Sequence, residues 1–337
     1  MRILLAKNKM TVGISVVAIM LIGLVAAGCG SKAGTANNKS AVENYPKSTV
    51  TLMVVHAAGG AGDILARALQ PSLQKAFGTN VVIENVPGGG GNDAYAKIFK
   101  GKNDGYTLCM APFPSSILGE LTKNGDFRTK EFTYLHNVAG NDSNAIYVKA
   151  DSPYKELKDL IEDAKSKKVT MAGSGIGTNS HMAISLLQKS ANTNFEYIPY
   201  ESGKGGVIAV AGGHTLAGIS NIIDLKDLSD QGKIRILASF GTKRHPSFPN
   251  VITTEELGYK GTGMNVATGI VGPPNMPPEL AKKIDGIVAQ AVADPDFKKA
   301  AEGIGSSILS LNGDEFKAMV LKIYEQAESV KDVIKPK

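Results

Sequence analysis

From residue 50 onward the apolar positions alternate between strand-like runs and helical faces. Residues 50–55 form an apolar run, broken only by Thr51, of the length of a buried strand. Ile64, Leu65, Ala68, Leu69, Leu73 and Phe77 then fall on one face of a helix, with Pro71 inside it, where proline costs a hydrogen bond and predicts a kink. Residues 81–83 predict a second strand, 94–99 a short helix and 106–110 a third strand. Alternation of this kind is the mark of βαβ units and a mainly parallel sheet.

The segment changes at Asp151-Ser152-Pro153, where Ser152 is placed to cap a helix over 154–165, with Pro153 at its first position and Glu156 in its first turn. The alternation then restarts, with strands at 169–172, 195–200, 214–220 and 234–240 and helices at 180–189, 207–211 and 225–231. After a proline-rich crossing at 245–249, a strand at 267–271 leads into helical patterns at 277–292, 296–301 and 313–330. The fold class expected is α/β, as two lobes with a ligand cleft between them. Residues 45–150 are read as the first lobe, 151–264 as the second, and 265–337 as a tail packing back across the first.

The first thirty residues change the picture of where the chain works. Arg2, Lys7 and Lys9 precede an apolar run over 12–25, broken only by Gly13, Ser15 and Gly23, and Ala26-Ala27-Gly28-Cys29 follows. These are the basic, apolar and small-residue parts of an export signal. The run falls short of the roughly 20 apolar residues that a membrane-spanning helix needs. The cysteine after small residues resembles a bacterial lipobox, with Ala26 standing where leucine is commonest. That resemblance implies removal of residues 1–28, lipidation of Cys29 and anchoring in the bilayer on the extracytoplasmic side. Small polar residues over 29–44 read as a tether.

Loss of residues 1–28 removes three positive charges and no negative one, so the formal net charge falls from +6 to +3. Without a dense Lys/Arg cluster, that mild basicity does not make a nucleic-acid footprint. Cys109, in the apolar stretch 106–110, reads as a buried inert thiol. His56, His136, His181, His214 and His245 are scattered, with no pair at metal-ligand spacing, so neither metal nor cofactor is expected. His56 and His181 are nevertheless placed near the cleft, since each adjoins a glycine loop.

The most informative device is a glycine-rich turn between a strand and a helix, used at 56–63, 87–93 and 173–180. Each ends in residues suited to helix capping: Asp63; Asn92 or Asp93; Thr178 or Asn179. Such a turn lets a ligand reach bare backbone N–H groups, and the helix N-terminus behind it adds partial positive charge, so an anion can be bound without a lysine. At the carboxyl ends of parallel strands these loops lie where α/β folds bind ligands. None ends in the Gly-Lys-Ser/Thr of a nucleotide P-loop, and Leu65 stands where a dinucleotide fingerprint needs its third glycine. Ser174, Thr178 and Ser180 sit in no nucleophile elbow.

With these motifs in view, the chain from Tyr45 to about Val333 resembles the solute-binding subunits of tripartite tricarboxylate transporters, the TctC/Bug family. The resemblance rests on Tyr45-Pro46, on Gly59-Gly60 with Asp63-Ile64-Leu65-Ala66-Arg67, and on 82–92. It continues through Asp104-Gly105-Tyr106-Thr107-Leu108, Gly175-Ile176-Gly177-Thr178-Asn179-Ser180-His181, 199–203, Gly212-Gly213-His214 and Gly232-Lys233-Ile234-Arg235. It implies a periplasmic-binding-protein-like fold and a non-catalytic receptor that delivers a small carboxylate to membrane permease subunits. A sensor-coupled receptor, or an extracytoplasmic enzyme acting on a small organic anion, is the alternative.

The same resemblance implies a pocket lined by Ala57, Ala58, Gly59, Gly60 and Asp63 in the first loop, by Pro112 and Ser115, and by Gly175, Gly177, Thr178, Asn179, Ser180 and His181 in the second lobe, with Tyr200, Ser202 and Asn221. The chain departs from the family's usual pattern at His56-Ala57-Ala58, at Gly62 in place of a hydroxyl residue, and at Gly205-Gly206. Ser220 stands where many members carry an acidic residue that suits amino-acid ligands, and this inclines the expectation towards plain di- or tricarboxylates.

Overall fold

Two sheets organise the computed structural model, which describes residues 42–335 apart from 89–90, 124, 141–142 and 305. Cys29 and the export signal lie outside the described residues. In the first sheet β1 (Val50–Val54) is flanked by β2 (Val81–Asn85) and β3 (Thr107–Phe113), both parallel to it, with Leu52 opposite Ile83 and Leu108. Beyond β3 the sheet continues antiparallel through β10 (Ala267–Gly272), β4 (Thr133–Gly140) and β11 (Ile308–Asn312), in the order β11-β4-β10-β3-β1-β2. Leu52, Met53 and Val54 are all buried, as expected of a strand covered on both faces.

Helix α1 (Ala61–Phe77) links β1 to β2, with Pro71 in its interior, and ends at Gly78, whose left-handed φ of 67° lets its N–H return to the Gln74 carbonyl. Helix α2 (Asn92–Phe99) links β2 to β3, and α3 (Ser115–Lys123) follows β3.

The second sheet has the order β7-β6-β8-β5-β9, built from β5 (Asn144–Lys149), β6 (Val169–Ser174), β7 (Phe195–Tyr200), β8 (Ala217–Asn221) and β9 (Ile234–Ser239). Strand β6 runs parallel to β7 and β8, and β5 runs antiparallel to β8 and β9. The chain therefore crosses between sheets before Asn144, ahead of the change of segment at Asp151, and β5 belongs with the second lobe instead of the first.

The helix expected over 154–165 begins later. Helix α4 (Leu157–Ser166) is capped by Glu156 in a reciprocal box with Asp159, whose carboxylate accepts the Glu156 N–H at 3.0 Å. Residues 150–154 instead form turns and irregular backbone, where the Arg235 guanidinium donates to the carbonyls of Ala150 (2.8 Å) and Tyr154 (3.2 Å). The Ser152 hydroxyl accepts only the Tyr154 N–H, in a turn before the helix.

Helix α5 (Asn179–Ala191) follows β6, α6 (Gly203–Ala211) follows β7, and a 3-10 turn over Ile222–Leu225 leads into α7 (Lys226–Asp230) after β8. After β10, α8 (Pro278–Ala293) packs against α1 and β4, α9 (Pro295–Gly303) against α1, and α10 (Gly313–Glu328) against β4. The last short helix, α11 (Lys331–Ile334), packs on both α3 and α5, and Ile334 is fully buried there.

Candidate functional site: a cleft rimmed by helix starts

The carboxyl ends of β3, β6, β7 and β8 each lead into a helical segment, and three of those helix starts meet at one cavity of 330 Å³. Ser115 brings the start of α3, Gly177 to Ser180 the start of α5, and Gly203 the start of α6. Asn144, Ser174, Ser220, Asn221, Asp224 and Val266 complete most of the remaining lining. Among the described residues this cavity is lined by no lysine, arginine or histidine. What the cavity can offer an anion is therefore backbone N–H groups, since the first N–H groups of a helix have no intrahelical acceptor. A second cavity of 740 Å³ shares Ser115, Asn179, Asn221, Asp224 and Val266 with the first, and extends past His56, Gly62, Leu65 and Pro112.

The α5 loop is shaped by Gly175 and Gly177, both with left-handed φ (41° and 68°), a conformation that side chains rarely adopt. Thr178 caps α5 and accepts the His181 N–H at 3.4 Å, while its own hydroxyl is directed at the carbonyls of Ser174 and Gly175. The Ser180 hydroxyl donates to Asn144 Oδ1 at 3.3 Å. Neither hydroxyl is thus a free donor. The free side-chain donor is the Asn144 amide: that residue is 4% exposed and its Nδ2 has no partner.

The first-lobe loop also differs from expectation. Asp63 does not cap α1; Gly60 holds the cap position, without a side-chain bond, and Asp63 lies inside the first turn. Its carboxylate accepts the Gly59 N–H (2.8 Å), Arg67 Nε (2.9 Å) and Asn85 Nδ2 (2.9 Å). The Arg67 hydrogen bond, helped by Gly59 and Asn85 and opposed by burial, holds the Asp63 pKa at about 2. The Gly60 N–H is committed to the Ala57 carbonyl at 3.0 Å. Gly59 and Gly60 therefore do not offer bare N–H groups. None of Ala57, Ala58, Gly59, Gly60 and Asp63 lines either cavity; the loop instead contributes His56 and Gly62, its neighbours in sequence. His56 Nδ1 is buried without a partner, close enough to Gly62 that a Cβ there would lie 2.3 Å from it, and burial lowers the imidazole pKa.

Of the other expected residues, Pro112, Ser115, Gly177, Asn179, Ser180 and Asn221 line the cleft. Gly175 shapes the loop, its N–H bonded to the Tyr200 carbonyl at 2.9 Å. His181 stacks on Tyr197 with ring centroids 4.5 Å apart, accepts the Gly177 N–H at 3.3 Å, and has its pKa lowered by burial, so it is a neutral prop for the loop. Ser202 caps α6 through the Gly205 N–H at 3.1 Å, and neither it nor Tyr200 lines a cavity.

The sequence reading overlooked Asn144, Gly203 and Asp224. Asp224 carried no local signal: Ser220 lies on strand β8 and Asp224 in the 3-10 turn after it, and the strand-to-turn geometry brings them together.

Elsewhere, His136 links Asp285 (Nδ1 to Oδ1, 2.6 Å) to Ser310 (Nε2 to Oγ, 2.8 Å), but Ser310 and His136 line neither cleft cavity and the chain of bonds ties α8 and β11 to β4. Among the described residues no cluster of side chains could hold a metal ion.

A polar cleft with helix starts and no basic side chain suits a small carboxylate, and the family comparison decides the kind of protein that uses it. The model of the tripartite tricarboxylate transporter family receptor matches residues 65–336. The chain belongs to that family. It is 28% identical over 290 residues to the UPF0065 protein in the gbd 5' region of Cupriavidus necator, a match covering 86% of this chain and 88% of that one.

Among solved structures, a TctC solute-binding protein from Polaromonas superposes with a TM-score of 0.79 at 21% identity, covering 86% of this receptor and 99% of its own chain. Rpa4515 of Rhodopseudomonas palustris, solved with adipate, does so at 0.68 and 24% identity, covering 87% and 100%. The receptor thus has the two-lobed periplasmic-binding-protein fold, and its family comprises extracytoplasmic solute-binding proteins, not enzymes.

Proposed function

We propose that this receptor is a lipid-anchored protein that captures a small carboxylate, of the di- or tricarboxylate kind, and hands it to the permease subunits of a tripartite tricarboxylate transporter. The observation that carries the reading is the convergence of α3, α5 and α6 on one cavity without a basic side chain. Helix N-termini favour anions and bind them through backbone N–H groups. The adipate bound by the Rhodopseudomonas palustris relative supports a dicarboxylate. Ala26-Ala27-Gly28-Cys29 after the apolar run supports the anchor.

Mass spectrometry of small molecules released on denaturing freshly purified protein tests the ligand class. A di- or tricarboxylate is expected; release of only sugars or cations, with no thermal shift from any carboxylate, sinks the reading. Cys29→Ser is expected to leave an unprocessed, unlipidated precursor by intact mass, and the same cleavage in the variant removes the anchor.

A further inference from the structure

Resting on that reading of the cleft, we infer that the captured carboxylate also carries a protonated amino group, which Asp224 receives. Asp224 lines both cavities, and among the described residues no lysine or arginine pairs with it. Its Oδ2 accepts the buried Ser220 hydroxyl at 3.1 Å, which fixes the carboxylate's orientation, while Oδ1 has no donor among the described residues. The start of α6 closes tightly over this pair: a Cβ on Gly203 would lie 2.4 Å from Ser220 Oγ and 2.9 Å from Asp224 Oδ2. The site therefore has two electrostatic ends. The Asn179–Ser180 end, with the unpaired Asn144 amide beside it, accepts a carboxylate, and the Asp224–Ser220 end needs a cationic donor.

A plain diacid would place a second negative charge near an unneutralised carboxylate in a partly desolvated cleft, where like charges repel most strongly. An ammonium supplies three donors to the same place and neutralises it. Asp224, in the 3-10 turn after β8, is thus the acceptor for an ammonium, and within the carboxylate reading the ligand class narrows to amino dicarboxylates.

The test uses matched pairs that differ only by an amino group: glycine and acetate, aspartate and succinate, glutamate and glutarate, with adipate and citrate alongside. Calorimetric titration is made on protein unfolded and refolded to strip retained ligand. At least one amino member is expected to bind tenfold or more tightly than its partner. Asp224→Asn, close in shape, is expected to shrink that ratio at least tenfold with an unchanged circular dichroism spectrum, and Ser220→Ala to shrink it less. Equal or tighter binding of the plain acids overturns the inference, as does a ratio unmoved in folded Asp224→Asn. Binding of adipate or citrate alone overturns it while leaving the carboxylate reading in place, and failure of every compound overturns both.

Discussion

The Asp63 carboxylate takes the Gly59 N–H at 2.8 Å, so the first glycine loop is braced by its own helix. With Arg67 and Asn85 on the same carboxylate, Asp63→Ala strands three donors around a residue only 2% exposed. Hydrogen bonds to charged groups contribute about 1.5–3 kcal/mol each, and the variant is expected to lose about 3 kcal/mol of stability in urea unfolding at neutral pH. A carboxylate whose folded pKa is lowered to about 2 stabilises the fold fully above its unfolded value of about 4 and loses that contribution as pH falls through about 2. The gap between wild type and Asp63→Ala should therefore narrow between pH 4 and pH 2. A gap that stays constant over that range counts against the bracing role.

Asn144 is expected to contribute most to affinity among the neutral side chains of the cleft. Its buried Nδ2 has no partner, and a bond from it to a carboxylate would contribute about 1.5–3 kcal/mol. Asn144→Ala should weaken ligand binding tenfold or more by calorimetry. Thr178→Ala removes a helix cap and should cost about 1 kcal/mol of stability with a smaller change in affinity. Wild-type affinity in folded Asn144→Ala would take that residue out of the site.

His136 should matter for stability and not for binding. It is 3% exposed and bridges Asp285 and Ser310, so His136→Ala leaves a carboxylate and a hydroxyl without their shared partner. A loss of about 2–3 kcal/mol in unfolding, with unchanged ligand affinity and no esterase activity in either protein, is the expected result. Hydrolysis of an activated ester by wild type that Ser310→Ala abolishes would show instead that the bonded trio is reactive.

Cys109 should be silent in the native protein. Burial on β3 pushes its thiol up to about 12 and leaves it inaccessible. Ellman's reagent at pH 8 should label it only after denaturation; rapid labelling of native protein would mean that the β3 core opens readily.

Strands β1, β2, β3, β6 and β9 were legible because each carries a short, mostly apolar run, and in β1 and β3 burial of most of the strand leaves that local record. Strands β4, β5 and β11 were not. His136 and Asn137 interrupt the apolar pattern of β4, and both are buried with partners far along the chain: Asn137 Nδ2 reaches the Leu309 carbonyl at 2.6 Å. No window of neighbouring residues contains that compensation.

The candidate site divides in the same way. The Gly175-to-Ser180 loop was legible because glycines with left-handed φ and a capping threonine are local requirements. The commitment of the Gly59 and Gly60 N–H groups within their own loop was not, because glycine spacing alone does not say whether an amide faces a ligand or its own chain. Asp224 fell in the gap between the strand expected over 214–220 and the helix expected over 225–231, where no periodic pattern marks it.

Helix α11 packs on α3 and α5, two of the helices whose starts line the cleft, and the Ile334 carbonyl lies 3.7 Å from where a Cβ on Gly177 would be. Residues 331–334 thus form a wedge behind the Gly175-to-Ser180 loop. A receptor shortened after Val330 would keep every residue that faces the cleft, yet lose the backing that holds two of its three helix starts at a fixed separation.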